Sequence, residues 1–261
     1  MSEREEIPPE NSEVPPALPP RLPGSFKERI QGAEVLQAFF LFFLLSAAIS
    51  LLVKQLVPTG DPGLVPWELG VAQLPLHLVI VASILLLRRW MGGPEGLSAL
   101  GWTWNPNPLI GFARGLLWYI PMGFSWWTLA ILYMVGLKAL GMEPPKQEVL
   151  NFFLRPGVPL YGQLLLWIVT CATAPLAEEL LFRGSLFSWL RYRFSFWPAA
   201  LLTALAFALP HGGWKFIVPL GYLAIMLAWL RERSGSIWPA VGLHAAHNFV
   251  TLVLVVLFHP G

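Results

Sequence analysis

The chain has 261 residues, of which 56% are hydrophobic and only 12% charged, with a formal net charge of +2. A soluble domain of this size carries about twice that charged fraction, so a water-soluble globule is excluded. The near-neutral balance is spread along the chain and gives no argument for nucleic-acid binding. Cys171 is the one cysteine, so no intramolecular disulfide can form.

Residues 1–33 differ from the rest. Pro8, Pro9, Pro15, Pro16, Pro19, Pro20 and Pro23 are interspersed with Glu and Ser, and large apolar side chains are few. Such a segment buries too little surface to offset its ordering entropy, which predicts a disordered cytoplasmic tail that could also dock a partner. It lacks the pattern of a signal peptide, so the first apolar run is expected to be retained.

Residues 34–261 read as one membrane helical domain. Apolar runs long enough to cross a bilayer lie at 35–53, 69–87, 115–137, 156–177, 194–214 and 234–258, and a shorter one at 216–230. The expectation is an all-α polytopic transmembrane bundle of about seven spans. Trp102 and Trp104 mark the 91–108 segment as a loop at headgroup level, and Trp90, Trp126, Trp127, Trp197, Trp214 and Trp238 read as anchors near span ends. His77, beside Pro75 in the second run, reads as a histidine bonded to a neighbouring helix carbonyl.

Charge placement sets the orientation. With the N-terminus inside, Arg21, Lys27, Arg29, Arg88, Arg89, Arg183, Arg191, Arg193, Arg231 and Arg233 fall on the cytoplasmic side. Lys54, Lys138, Lys146, Arg155 and Lys215 fall opposite, an excess of about two to one for a cytoplasmic N-terminus.

Against this apolar background, ionisable residues at membrane depth are functional candidates, because each costs several kcal/mol to keep there. In Ala177-Glu178-Glu179-Leu180-Leu181-Phe182-Arg183, Glu179 and Arg183 are i and i+4 on one helix face and can pair. Glu178 is turned about 100° away and is free to face a cavity, as a general base must. The helix turns near Phe194–Phe196, and Glu178 and His211 lie about sixteen residues to either side of it, at matching depth in an antiparallel hairpin. Small residues between Ala199 and Ala208 favour close approach. In the last run His244 and Asn248 are i and i+4, donors suited to a developing oxyanion, with His247 offset by about 60°. Each fragment alone has a plain packing explanation; together, with two at matched depth, they describe a hydrolytic site.

Three ordered motifs carry a resemblance: Glu178-Glu179-xxx-Arg183, Phe207-xxx-His211 and His244-xxx-Asn248. The chain resembles the type II CAAX prenyl endopeptidases, also called the CAAX proteases and bacteriocin-processing enzymes (CPBP or Abi family), over about residues 160–255. The resemblance implies an intramembrane endopeptidase of the glutamate type, in a cell membrane of bacterial type. By position Glu178 and His211 would activate water, while His244 and Asn248 would hold the oxyanion. Glu179, Arg183 and Phe207 would support them. A peptide or lipidated-peptide substrate is implied, with no cofactor and no metal.

Two other readings compete. A zinc protease could use Glu178, His211, His244 and His247 as ligands, although no HExxH motif is present. A non-catalytic scaffold or immunity protein could use the proline-rich tail.

Overall fold

In hydrocarbon a chain must satisfy its backbone N–H and C=O groups within each segment or in a closed barrel. This one does so with helices. The computed structural model describes residues 32–56, 67–104, 107–143, 153, 157–211 and 214–258. The proline-rich segment up to residue 31, with Arg21, Lys27 and Arg29, lies outside the described residues, as do Lys146 and Arg155.

Helix α1 is Gly32–Leu56, α2 the short Trp67–Val71, α3 Gln73–Ala99 and α4 Pro108–Ala139. A continuous helical stretch, α5, runs Leu160–Arg193. It is followed by α6 (Phe196–Ala208), α7 (Ile217–Ser234) and α8 (Trp238–Phe258). Six segments among the described residues are long and apolar enough to cross a membrane, and Phe196–His211 is a seventh, shorter apolar helix. The protein is an all-α, multi-pass integral membrane protein.

The count of about seven agrees with expectation, but two lengths are exchanged. The 194–214 run, expected to be full length, is the short one: its α-helix ends at Ala208 and tightens into a turn over Leu209–His211. Pro210 supplies no N–H to continue it. The 216–230 run, expected to be short, lies in the full-length Trp214–Ser234 segment. The loop expected from residue 91 is helical as far as Ala99. Ala99 and Leu100 are buried there, and that tertiary burial outweighs the helix-breaking composition.

Helices α4 and α8 pack most closely. Asn107 caps α4, its Oδ1 accepting the N–H of Leu109 at 2.9 Å, and Pro108 opens the helix. A Cβ at Gly115 would strike the Pro239 carbonyl, and one at Gly242 would strike the Phe112 carbonyl. These two glycines let the backbones touch, which is how membrane helices gain dispersion energy without a hydrophobic drive.

The α5–α6 hairpin has the register predicted from its turn. Phe182 and Phe207 are equally far from residues 194–195, and their rings meet edge-on at 5.1 Å. At one end of the bundle Arg191 clasps Glu232 with two bonds, of 3.0 and 2.6 Å. Nearby, Arg231 is buried and donates to the Ala99 carbonyl and the Ser188 hydroxyl, both at 3.3 Å. The ends of α3, α5 and α7 therefore gather on one basic side. The outward faces are greasy, with Phe40, Leu117 and Phe124 exposed, as lipid contact requires. Trp90, Trp104, Trp197 and Trp214 are exposed as expected of anchors. Trp126 is not an anchor: it is buried and donates to the Pro219 carbonyl at 2.7 Å.

Candidate active site

The polar cluster is built on an irregular stretch of α5. Regular α-helix at Ala174–Glu179 is flanked by two wider turns, Val169–Thr173 and Leu180–Phe187, in which the backbone bonds reach back five residues rather than four. Wide turns of this kind frequently occur at functional sites. In the second and just beyond it, the Ser185 and Ser188 hydroxyls donate to the carbonyls of Leu180 and Arg183, each five residues back.

Glu179 and Arg183 are both fully buried, and Nη1 of Arg183 donates to Glu179 Oε1 at 2.9 Å, the pairing their spacing predicts. Nη2 of Arg183 reaches across to the Ala224 carbonyl of α7 at 3.2 Å. The guanidinium also lies 4.7 Å from the Phe207 ring centroid. These contacts offset the cost of removing an arginine from water.

His244 joins α8 to the same carboxylate, its Nδ1 lying 2.9 Å from Glu179 Oε1. The other ring nitrogen, Nε2, is 3.7 Å from Glu178 Oε2, too long for a hydrogen bond. One imidazole therefore sits between two adjacent carboxylates in unlike environments: the Glu179 side chain is fully buried, whereas that of Glu178 is 17% exposed. Oxygen Oε2 of Glu179 has no hydrogen-bond partner among the described residues.

In the turn that follows α6, His211 Nδ1 is 2.6 Å from the Phe207 carbonyl. A carbonyl only accepts, so Nδ1 carries the hydrogen, and Nε2 of a neutral ring is left as the acceptor. The Phe207 ring lies 4.7 Å from His211 and 5.8 Å from His244, between the two imidazoles. Glu178 thus makes its contact with His244, and His211 with Phe207. The two reach one cluster through these intermediaries.

Asn248, one turn beyond His244, donates from Nδ2 to the Thr170 carbonyl at 2.8 Å. His247 turns away toward α4, with Trp126 at 4.3 Å and Tyr119 at 6.1 Å between ring centroids. It packs rather than joining the cluster. No group of three or more His, Cys, Asp or Glu among the described residues has the spacing to hold a metal ion.

The Glu179–His244 bond was not foreseen, because i+4 spacing reports only partners on the same helix. Nor was the bond from His77 Nδ1 to the Thr173 hydroxyl at 3.1 Å, in place of the carbonyl partner expected for His77. Pro175 within a helical run was the available signal for the wide turn.

Fold and cluster together define a class: a multi-pass helical membrane protein with a buried carboxylate–imidazole–guanidinium site. Residues 160–250, which carry every member of that cluster, match the family model described as type II CAAX prenyl endopeptidase Rce1-like. That stretch, about a third of the chain, is similar to an Rce1-like domain, a peptidase and so a hydrolase. Over 177 residues, 64% of this chain and 71% of the relative, it is 27% identical to an uncharacterized 24.3 kDa protein of Escherichia coli. No solved structure matches the chain.

Proposed function

We propose that the protein is an intramembrane endopeptidase of the glutamate type, cleaving a membrane-associated or CAAX-like peptide. The observation that carries this reading is the division of labour between neighbouring carboxylates. Glu179 is locked by Arg183 and His244, while Glu178 has partial exposure and, among the described residues, no hydrogen bond to saturate it.

In this reading Glu178 and the free Nε2 of His211 draw a proton from water, which attacks the scissile carbonyl. The imidazolium form of His244 would donate from Nε2 to the developing oxyanion, while Glu179 fixes the ring through Nδ1. Asn248 has a second amide hydrogen to offer beside the one given to Thr170. The abstracted proton then passes to the leaving amine. Phe207 spaces the two imidazoles, and Arg183 balances Glu179.

The catalytic core spans about residues 160–255 of a membrane domain that begins near residue 34, on the cytoplasmic side. The gathering of Arg88, Arg89, Arg191, Arg193, Arg231 and Arg233 near the ends of α3, α5 and α7 supports that orientation. The membrane is of bacterial type. Purified protein in nanodiscs, given CAAX-terminated membrane peptides, should release fragments that Glu178→Gln does not. Equal cleavage by that variant would sink the assignment.

A further inference from the structure

The wide turn ahead of the two carboxylates is held from outside its own helix. Within it the Ala174 N–H bonds to the Val169 carbonyl, five residues back. The next donor in that register would be residue 175, and its acceptor would be the Thr170 carbonyl. Residue 175 is proline and has no N–H. Asn248 fills the vacancy: its Nδ2 donates to that same carbonyl at 2.8 Å from α8.

A second attachment comes from α3. His77 is 5% exposed, and its Nδ1 lies 3.1 Å from the Thr173 hydroxyl, which itself reaches the Val169 carbonyl at 3.4 Å. Helices α3 and α8 thus each fasten one residue of the turn, at Thr173 and Thr170. The register matters because one residue of a helix is worth about 100° of rotation. Were the turn to close to the ordinary four-residue pattern, Glu178 and Glu179 would swing by about that angle relative to the preceding helix. Glu179 would then leave His244.

We propose that His77 and Asn248 are positioning residues that keep the Val169–Thr173 turn open and so aim Glu178 at the reacting groups. What Glu178 does there rests on the peptidase reading above; the fastening of the turn does not. For Asn248 this role is distinct from any donation to an oxyanion.

Cys171, half-buried and inside the turn, is a built-in reporter, being the only cysteine in the chain. The full-length protein in nanodiscs is treated with a membrane-permeant maleimide, and the rate of Cys171 modification is read by mass spectrometry. Asn248→Ala and His77→Leu should each raise that rate by about fivefold or more, the size of one lost hydrogen bond. His77→Gln, whose amide can still bond the hydroxyl, should stay near wild type. Adding Pro175→Ala to Asn248→Ala returns an N–H to Thr170 and should bring the labelling rate back toward wild type. Rates within about twofold of wild type in both Asn248→Ala and His77→Leu would overturn the proposal, whether or not the proline variant folds. Glu178→Gln should leave labelling unchanged while abolishing cleavage, so failure of the peptidase reading and failure of this one give different results.

Discussion

Nδ1 of His244 and Oε1 of Glu179 lie 2.9 Å apart, joining the last helix to a carboxylate 65 residues earlier in the chain. The same oxygen accepts from Arg183, so both the imidazole and the guanidinium depend on one buried carboxylate.

Glu178 and Glu179 should therefore respond differently to the same substitution. Glu178→Gln is expected to lower kcat by at least about a hundredfold with little change in thermal stability, since its carboxylate makes no close bond among the described residues. Glu179→Ala is expected to destabilise the protein by about 3–5 kcal/mol, because Arg183 is left buried without its counter-charge. Unfolding in detergent, followed alongside cleavage assays, separates the two effects. Equal stability loss in both variants would refute this division.

Two arginine–glutamate pairs make a second contrast. Arg191 and Glu232 are paired where their side chains are 18% and 24% exposed. Removing Arg191 should cost about 1 kcal/mol or less, as exposed pairs do. Arg183→Ala should cost several times as much, in line with breaking a buried pair. Thermal melts of the two variants at matched detergent concentration decide it.

Gly115→Leu and Gly242→Leu should each prevent tight docking of α4 on α8, since even a Cβ meets backbone there. A loss of about 2 kcal/mol or more, or failure to accumulate in the membrane, is expected. A Cβ on Gly136 of α4 would meet nothing within 4 Å among the described residues, so Gly136→Ala should be neutral or slightly stabilising. A destabilised Gly136→Ala would mean that α4 tolerates no side-chain change, and the contact-specific explanation would fall.

Cleavage should survive exhaustive chelation. The proposed water activation uses Glu178 and His211, and no step passes through a metal. Loss of activity in EDTA, restored by zinc, would favour the metalloprotease alternative instead.

Much of this arrangement was legible in the chain. The apolar runs located the helices, because hydrocarbon demands them. Spacing of i and i+4 gave the Glu179–Arg183 bond, and the turn near residue 194 gave the hairpin register reported by Phe182 and Phe207. What stayed hidden depends on contacts between distant segments. Neither the swing of His247 toward Trp126 nor the bond from His244 to Glu179 has a local signature. The length of α3 was misread because Gly92, Gly93 and Pro94 signal a loop, whereas burial of Ala99 and Leu100 sustains a helix. Gly111 and Gly115, four apart, carried a readable hint of close packing against α8.

The ring of Phe207 touches Phe182, His211, His244 and the Arg183 guanidinium at once. Groups that share a neighbour do not respond independently to substitution. Alanine effects measured one at a time across this set will not add, and their sum will differ from the loss seen when all are removed together. Only double-substitution cycles through Phe207 can apportion what each residue contributes.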